Sequence, residues 1–210
     1  VLAPPSAPAL AAAAATAAVA SGPQTFRLTK DATFFEGCFE PCLCFVEWHG
    51  TPKGTFTMEL IIDEFHQQVY AISDISWVVH DLGWTITGSG QYTIMGDFIL
   101  TERIELDLSI NGSEPKHFDS DWVIGASYPS LLLTVDANDM DCYDTVITIA
   151  AAPAQPGDLD GDGCVTQADL GILLSCFQQS ACGDLDGDGQ TTQSDLGILL
   201  ANFGKGAGCR

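Results

Sequence analysis

The chain has 210 residues, 46% hydrophobic and 17% charged, the balance of a chain that folds around a core, and its length allows one large domain or two small ones. Seven Lys and Arg against 28 Asp and Glu give a formal net charge of −21, which repels nucleic acid and anionic membrane surfaces and sets those partners aside. Eight cysteines fall into two sets, Cys38, Cys42, Cys44 and Cys142 before Pro153 and Cys164, Cys176, Cys182 and Cys209 after it, so each half can close its own disulfides. Pairing of that kind persists outside the cytosol and points to a periplasmic or extracellular location, of which we take the extracellular one, secreted or at the cell surface, as the expectation, whereas zinc binding by Cys38, Cys42 and Cys44 lacks the C-x2-C spacing and a second pair.

Residues 1–23 are Ala-rich and uncharged. Ala9 to Ala20 is open to two readings. It resembles the tail of a targeting segment, with Ala18-Val19-Ala20 as its cleavage site, although no Met and no basic stretch stands before it. Alternatively it forms a helix ended by Gly22-Pro23, too short to span a bilayer and buried against this chain or a neighbouring copy.

Residues 24–149 carry a β pattern. Phe56, Met58, Leu60 and Ile62 alternate with Thr55, Thr57 and Glu59, and Leu100, Ile104, Leu106 and Leu108 alternate with Thr101, Arg103, Glu105 and Asp107, the period of strands lying over a core. Further strands are predicted over Thr25–Lys30, Leu43–Trp48, Val69–Val79, Trp84–Thr87, Gln91–Met95, Ser130–Asp136 and Thr145–Ile149, with turns at Gly88-Ser89-Gly90 and Asn111-Gly112. A run of short strands without a convincing helix predicts a mainly β fold, an antiparallel sandwich or barrel, of which we take the β-sandwich as the expectation. Cys142, just before the last strand, is placed to tie it to the Cys38–Cys44 segment.

Residues 150–156, Ala-Ala-Ala-Pro-Ala-Gln-Pro, have no periodicity and read as a linker to a second domain over 157–210. That domain is a repeat: Gly157-Asp158-Leu159-Asp160-Gly161-Asp162-Gly163 returns as Gly183-Asp184-Leu185-Asp186-Gly187-Asp188-Gly189, and Asp169-Leu170-Gly171-Ile172-Leu173-Leu174 as Asp195-Leu196-Gly197-Ile198-Leu199-Leu200, both shifted by 26 positions. Each copy matches a twelve-residue calcium loop. Asp158, Asp160 and Asp162 take ligand positions one, three and five, the Cys164 carbonyl seven, Thr166 nine and Asp169 twelve; in the second copy these are Asp184, Asp186, Asp188, the Gln190 carbonyl, Thr192 and Asp195. All eight acidic residues beyond Ala154 are Asp, and every one has a ligand position, so two calcium ions are expected. After each loop, Leu170, Leu173, Leu174 and Phe177, then Leu196, Leu199, Leu200 and Phe203, have the spacing of a helix with one apolar stripe, while no entering helix precedes either loop.

A duplicated calcium loop with only its exiting helix, closed by Asp, resembles a type I dockerin, the module by which secreted bacterial proteins attach to cohesin domains. The resemblance covers Gly157 to about Gly204. It implies two calcium-binding loop-helix (F-hand) repeats, antiparallel helices packed face to face, and partner recognition early in each helix, here Gln167-Ala168 and Gln193-Ser194, which depart from the familiar Ser-Thr pairs. Because the ends of dockerins lie close together, it also implies Cys164 with Cys209 and Cys176 with Cys182.

No nucleophile elbow, metalloprotease helix, P-loop or dinucleotide turn is present in the sequence, and His49, His66, His80 and His117 are scattered, so no enzyme is expected. Trp48, Trp77, Trp84 and Trp122 are expected mainly in the core rather than on a sugar-binding face. The functional expectation is a secreted, non-catalytic calcium-binding structural protein that assembles through its dockerin-like module. Its partner is either further copies of itself in a filament, with Ala9–Ala20 packed on the next copy, or a cohesin-like domain to which it brings a polysaccharide-binding sandwich as cargo.

Overall fold

The computed structural model describes residues 22–39, 42, 45–137, 142–179, 182–185 and 190–206; the expectations for Ala9–Ala20 lie outside them. Eleven strands precede two helices. They are β1 (Gln24–Leu28), β2 (Thr33–Cys38), β3 (Trp48–Gly50), β4 (Pro52–Glu64), β5 (Gln67–Val79), β6 (Trp84–Met95), β7 (Thr101–Ile110), β8 (Lys116–Asp119), β9 (Val123–Ile124), β10 (Leu131–Asp136) and β11 (Tyr143–Pro153), then α1 (Gln167–Cys176) and α2 (Gln193–Asn202).

All the strands join one antiparallel sheet, in the order β4, β5, β6, β7, β8, β10, β11, with β2 and β3 continuing beyond β11 and β9 beside β7. β1 pairs on both edges, Phe26 opposite Phe56 of β4 and opposite Pro153 of β11, so the pairings close into a ring. A single wrapped sheet therefore stands where two separate ones were expected, and its inner faces enclose one core as a sandwich does. That core holds Phe26, Phe34, Phe56, Trp77, Tyr92 and Phe118 among its largest fully buried side chains.

The predicted alternation holds where the ladders are regular. Ile104, Leu106 and Leu108 point inward, and Glu102 takes the next inward position at 4% exposure. Its carboxylate accepts hydrogen bonds from the Tyr92 hydroxyl (2.5 Å) and from the backbone N–H and hydroxyl of Ser127 (both 2.8 Å), which satisfies a group that would otherwise be costly to bury. Burial and this carboxylate push the Tyr92 phenol well above its ordinary pKa. Leu100 and Ile62 leave the pattern: Leu100 lies in the loop before β7, and a register shift between Leu60 and Ile62 turns Ile62 outward.

Several predicted boundaries are corrected. Gly88-Ser89-Gly90 is not a turn but the middle of β6; a Cβ on Gly88 or Gly90 would lie 2.1 or 2.0 Å from a β7 carbonyl oxygen, so these glycines admit close backbone approach. The strand placed over Leu43–Trp48 begins only at Trp48; Phe45, Val46 and Glu47 are loop, and Leu43 and Cys44 lie outside the described residues. β2, β8 and β9 were not anticipated, being short and without clear alternation. Of the tryptophans only Trp77 is fully buried; Trp84 packs at the rim of the core, and Trp48 and Trp122 are 40% and 45% exposed. Asn111-Gly112 forms the expected turn, with φ of 54° and 72°.

The predicted linker is shorter than 150–156. β11 runs through Ala150 to Pro153, paired with β1 through Leu28–Ala151 and Phe26–Pro153, because small residues at a strand end permit pairing and Pro153 needs no donor there. Only Ala154 to Pro156 is left between the sheet and the first loop, and Ala154 N–H still donates to Thr25 O at 2.9 Å. Cys42 is bonded to Cys142, closing the expected crosslink over 100 positions, and Cys176 to Cys182; Cys38 and Cys164 are also disulfide-bonded, while Cys209 lies outside the described residues. No helix among the described residues is long and apolar enough to cross a membrane.

Candidate metal centre

α1 and α2 begin in the same way, and the start of each organises the loop before it. Thr166 caps α1, accepting from Ala168 N–H at 3.2 Å, while Asp169 three residues into the helix accepts from Thr166 N–H at 2.7 Å. Thr192 and Asp195 repeat both contacts at 3.2 and 2.7 Å. These reciprocal caps satisfy donors that a helix start leaves unpaired. Each Asp also reaches back into its loop: Asp169 accepts from Leu159 N–H at 2.6 Å and Asp160 N–H at 3.0 Å, and Asp195 from Leu185 N–H at 2.6 Å. Both carboxylates are fully buried.

In the first loop, Asp158, Asp160 and Asp162 can each turn one carboxylate oxygen to a common point, with those oxygens within 4.8 Å of one another. Asp158 is 2% exposed and accepts from Gly161 N–H at 2.8 Å and Gly163 N–H at 3.1 Å. Burial pushes its carboxyl above the ordinary aspartate value, opposed by the two N–H groups and by the positive charge of Arg27. Asp162 accepts from Cys164 N–H at 2.8 Å. Three hard carboxylates converging beside a buried fourth, Asp169, fit a divalent cation with oxygen preference and leave excess negative charge without one. Thr166, placed at ligand position nine, has its hydroxyl engaged in the cap, where it also donates to Asp169 at 3.3 Å. In the second loop Asp184, Gln190, Thr192 and Asp195 are described, and Asp186 and Asp188 lie outside the described residues.

The two repeats pack on each other crosswise. A Cβ on Gly157 would lie 3.1 Å from Leu199 Cα and 3.1 Å from Val165, and one on Gly183 would lie 3.2 Å from Leu173 Cα and 2.9 Å from Thr191, so each loop start abuts the other repeat's helix. The four residues met are equivalent in pairs across the 26-residue shift. Val165, Leu173 and Leu199 form a small core, flanked by Leu159, Leu170, Phe177, Leu185 and Leu196. The predicted apolar stripe is corrected at Leu174, Leu200 and Phe203, which are 53%, 54% and 45% exposed, because packing against one short helix covers a narrower arc than four positions. Gln167, Ala168, Gln193 and Ser194 are all exposed.

Arg27 had no signal in the sequence. β1 brings it against the first loop, where a Cβ on Gly161 would lie 3.6 Å from Arg27 Cδ, and the pairing of β1 with β11 fixes that placement. The second cluster with metal-ligating side chains, Glu105, His117 and Asp119, already contains a cation: Arg103 makes a bidentate contact to Asp119 and a 3.1 Å ion pair to Glu105. Arg103 holds the Asp119 carboxyl below the usual aspartate range. No family model, no curated protein and no solved structure matches the chain.

Proposed function

We propose that this is a secreted, non-catalytic calcium-binding protein whose dockerin-like C-terminal module attaches it to a partner, either a cohesin-like domain or another copy of the chain. The observation that carries the reading is the convergence of Asp158, Asp160 and Asp162 in a loop closed by buried Asp169, within a sequence that repeats at 26 positions. The residues that would hold the first ion are these four with the Cys164 carbonyl and Thr166; those for the second are Asp184, Asp186, Asp188, Asp195, the Gln190 carbonyl and Thr192. Calcium would neutralise the clustered carboxylates and so link loop closure to helix docking. The crosswise packing of the repeats supports the paired F-hand arrangement, and the disulfides support an oxidising, extracellular setting.

Attachment is assigned to the module because Gln167-Ala168 and Gln193-Ser194 stand exposed, as do Leu174 and Leu200, two apolar side chains related by the repeat. Calcium titration by calorimetry should find two ions per chain, and one after Asp158→Ala with Asp160→Ala. Sedimentation with and without chelator should then show calcium-dependent self-association, or calcium-dependent capture by an immobilised cohesin domain. Fewer than two ions overturns the metal reading; two ions with neither association overturns the assembly reading.

A further inference from the structure

Seven side chains carry fixed positive charge in this acidic chain, and their placement is uneven. Arg103 is neutralised by Asp119 and Glu105. By contrast Arg27, Lys30 and Lys53 all line one cleft of about 640 Å3 between the outer face of the sheet and the first calcium loop, and none of the three makes an ion pair or a side-chain hydrogen bond among the described residues. Arg27 acts on the Asp158 carboxylate through its field alone, so in a chain of net charge −21 three cations stand together without a direct partner among the described residues. Arg27 Nε is moreover one of two buried side-chain polar atoms without a hydrogen-bond partner among the described residues.

The cleft has the size of a small-molecule site, for which roughly 300–1,000 Å3 is typical. Its floor comes from adjacent strands, Arg27 on β1, Lys53 on β4 and Ser76 and Val78 on β5, a rigid platform with hydroxyl and apolar surface beside the cations. Asp160 and Asp162 of the first loop form the opposite wall. Those carboxylates repel an anion while they are free, and a divalent cation held in the loop offsets two of the four loop carboxylate charges and so weakens the repulsion. The net charge opposes the approach of an extended polyanion, so a short ligand suits the cleft better than a polymer of charges.

We propose that this cleft is a binding site for a small oxyanion carried on a polar ring, a carboxylated or sulfated monosaccharide or disaccharide, held by Arg27, Lys30 and Lys53 and strengthened when the first loop is loaded with calcium. The calcium dependence rests on the function proposed above; the anion site itself rests on the cleft and the three cations without direct partners that line it. By reciprocity the anion must also raise the affinity of the first loop for calcium.

The test is calorimetric titration of the full chain with glucuronate, with glucose 6-sulfate and with glucose, each in calcium and in chelator. At least one of the anions should bind, glucose should not, and affinity should fall in chelator; which anion binds tells carboxylate from sulfate. Arg27→Gln and Lys53→Gln should each weaken binding by about tenfold, as expected for loss of one charge-assisted contact, while Lys116→Gln, outside the cleft, leaves it unchanged. Lys53 is exposed, so its variant tests the site without disturbing the core. Calcium-loaded protein that binds neither anion, that binds glucose equally well, or that is indifferent to both substitutions overturns the site. Anion binding that is identical in calcium and chelator, with no calcium bound in a separate titration, retains the site and removes the calcium reading instead.

Discussion

The sheet domain and the C-terminal module are stabilised by different physics. The sheet encloses a core built from nearly every strand, with Phe26, Phe56, Trp77, Tyr92 and Phe118 fully buried, and closes on itself through β1. Among the described residues the module buries completely only Val165, Leu173 and Leu199 in its apolar cluster, and it also buries three carboxylates, Asp158, Asp169 and Asp195. So few apolar side chains offset little of the conformational entropy of such a segment, so the module leans on its crosslinks and, on the calcium reading proposed above, on neutralisation of its loops. The contrast teaches that one chain can set a unit with a large apolar core beside one with a small core rich in carboxylates, with only Ala154 to Pro156 between β11 and the first loop.

The largest effect that would break the comparison is metal removal. Chelation should abolish the helical circular dichroism of the module while the β signal persists, since the sheet core contains no loop carboxylate; helices that survive in chelator would mean that the module is self-sufficient too. Next in size is the Cys42–Cys142 crosslink, which spans 100 positions. Replacing both cysteines with Ala should lower sheet stability by about 4–5 kcal/mol in the chain-entropy account, read from denaturant midpoints, and leave calcium affinity unchanged.

Matched core truncations sharpen the comparison further. Leu173→Ala and Ile147→Ala should each cost ~2–5 kcal/mol, but the first should raise the calcium concentration needed to fold the module, while the second should only lower the melting temperature of the sheet. The smallest effect is Arg103→Gln, about 1 kcal/mol on the sheet at neutral pH. Arg103 depresses the Asp119 carboxyl, so its contribution is present above the ordinary aspartate pKa and fades as acid carries the pH down through the depressed value. The melting curves of Arg103→Gln and the parent should therefore converge towards low pH; a gap that stayed constant with pH would show that the pair is not electrostatic in origin.

The acidic loops and the helices that follow them were legible because their information is local. Ligand positions one, three, five and twelve fall within twelve residues, and the same residues that would bind the ion, Asp169 and Asp195, also cap the helices that follow. The strand pattern was legible where one face met the core and the other met water, as in Ile104, Leu106 and Leu108. It failed at Gly88-Ser89-Gly90, where glycine accommodates a neighbouring strand instead of a turn, and at Trp48 and Trp122, where side-chain type gave no sign of which face would be covered.

What the sequence alone determined was the β character of residues 24–149, the repeated acidic loop and helix of 157–202 and the division of the cysteines into two sets, all of them properties of short stretches read by period or position. What only the tertiary structure decided was the closure of the sheet through β1 and, with it, the meeting of Arg27, Lys30 and Lys53 with Asp160 and Asp162. The physical reason is that β1 gains both of its neighbours by pairing with strands remote in sequence, and no local pattern encodes which distant edges will share hydrogen bonds.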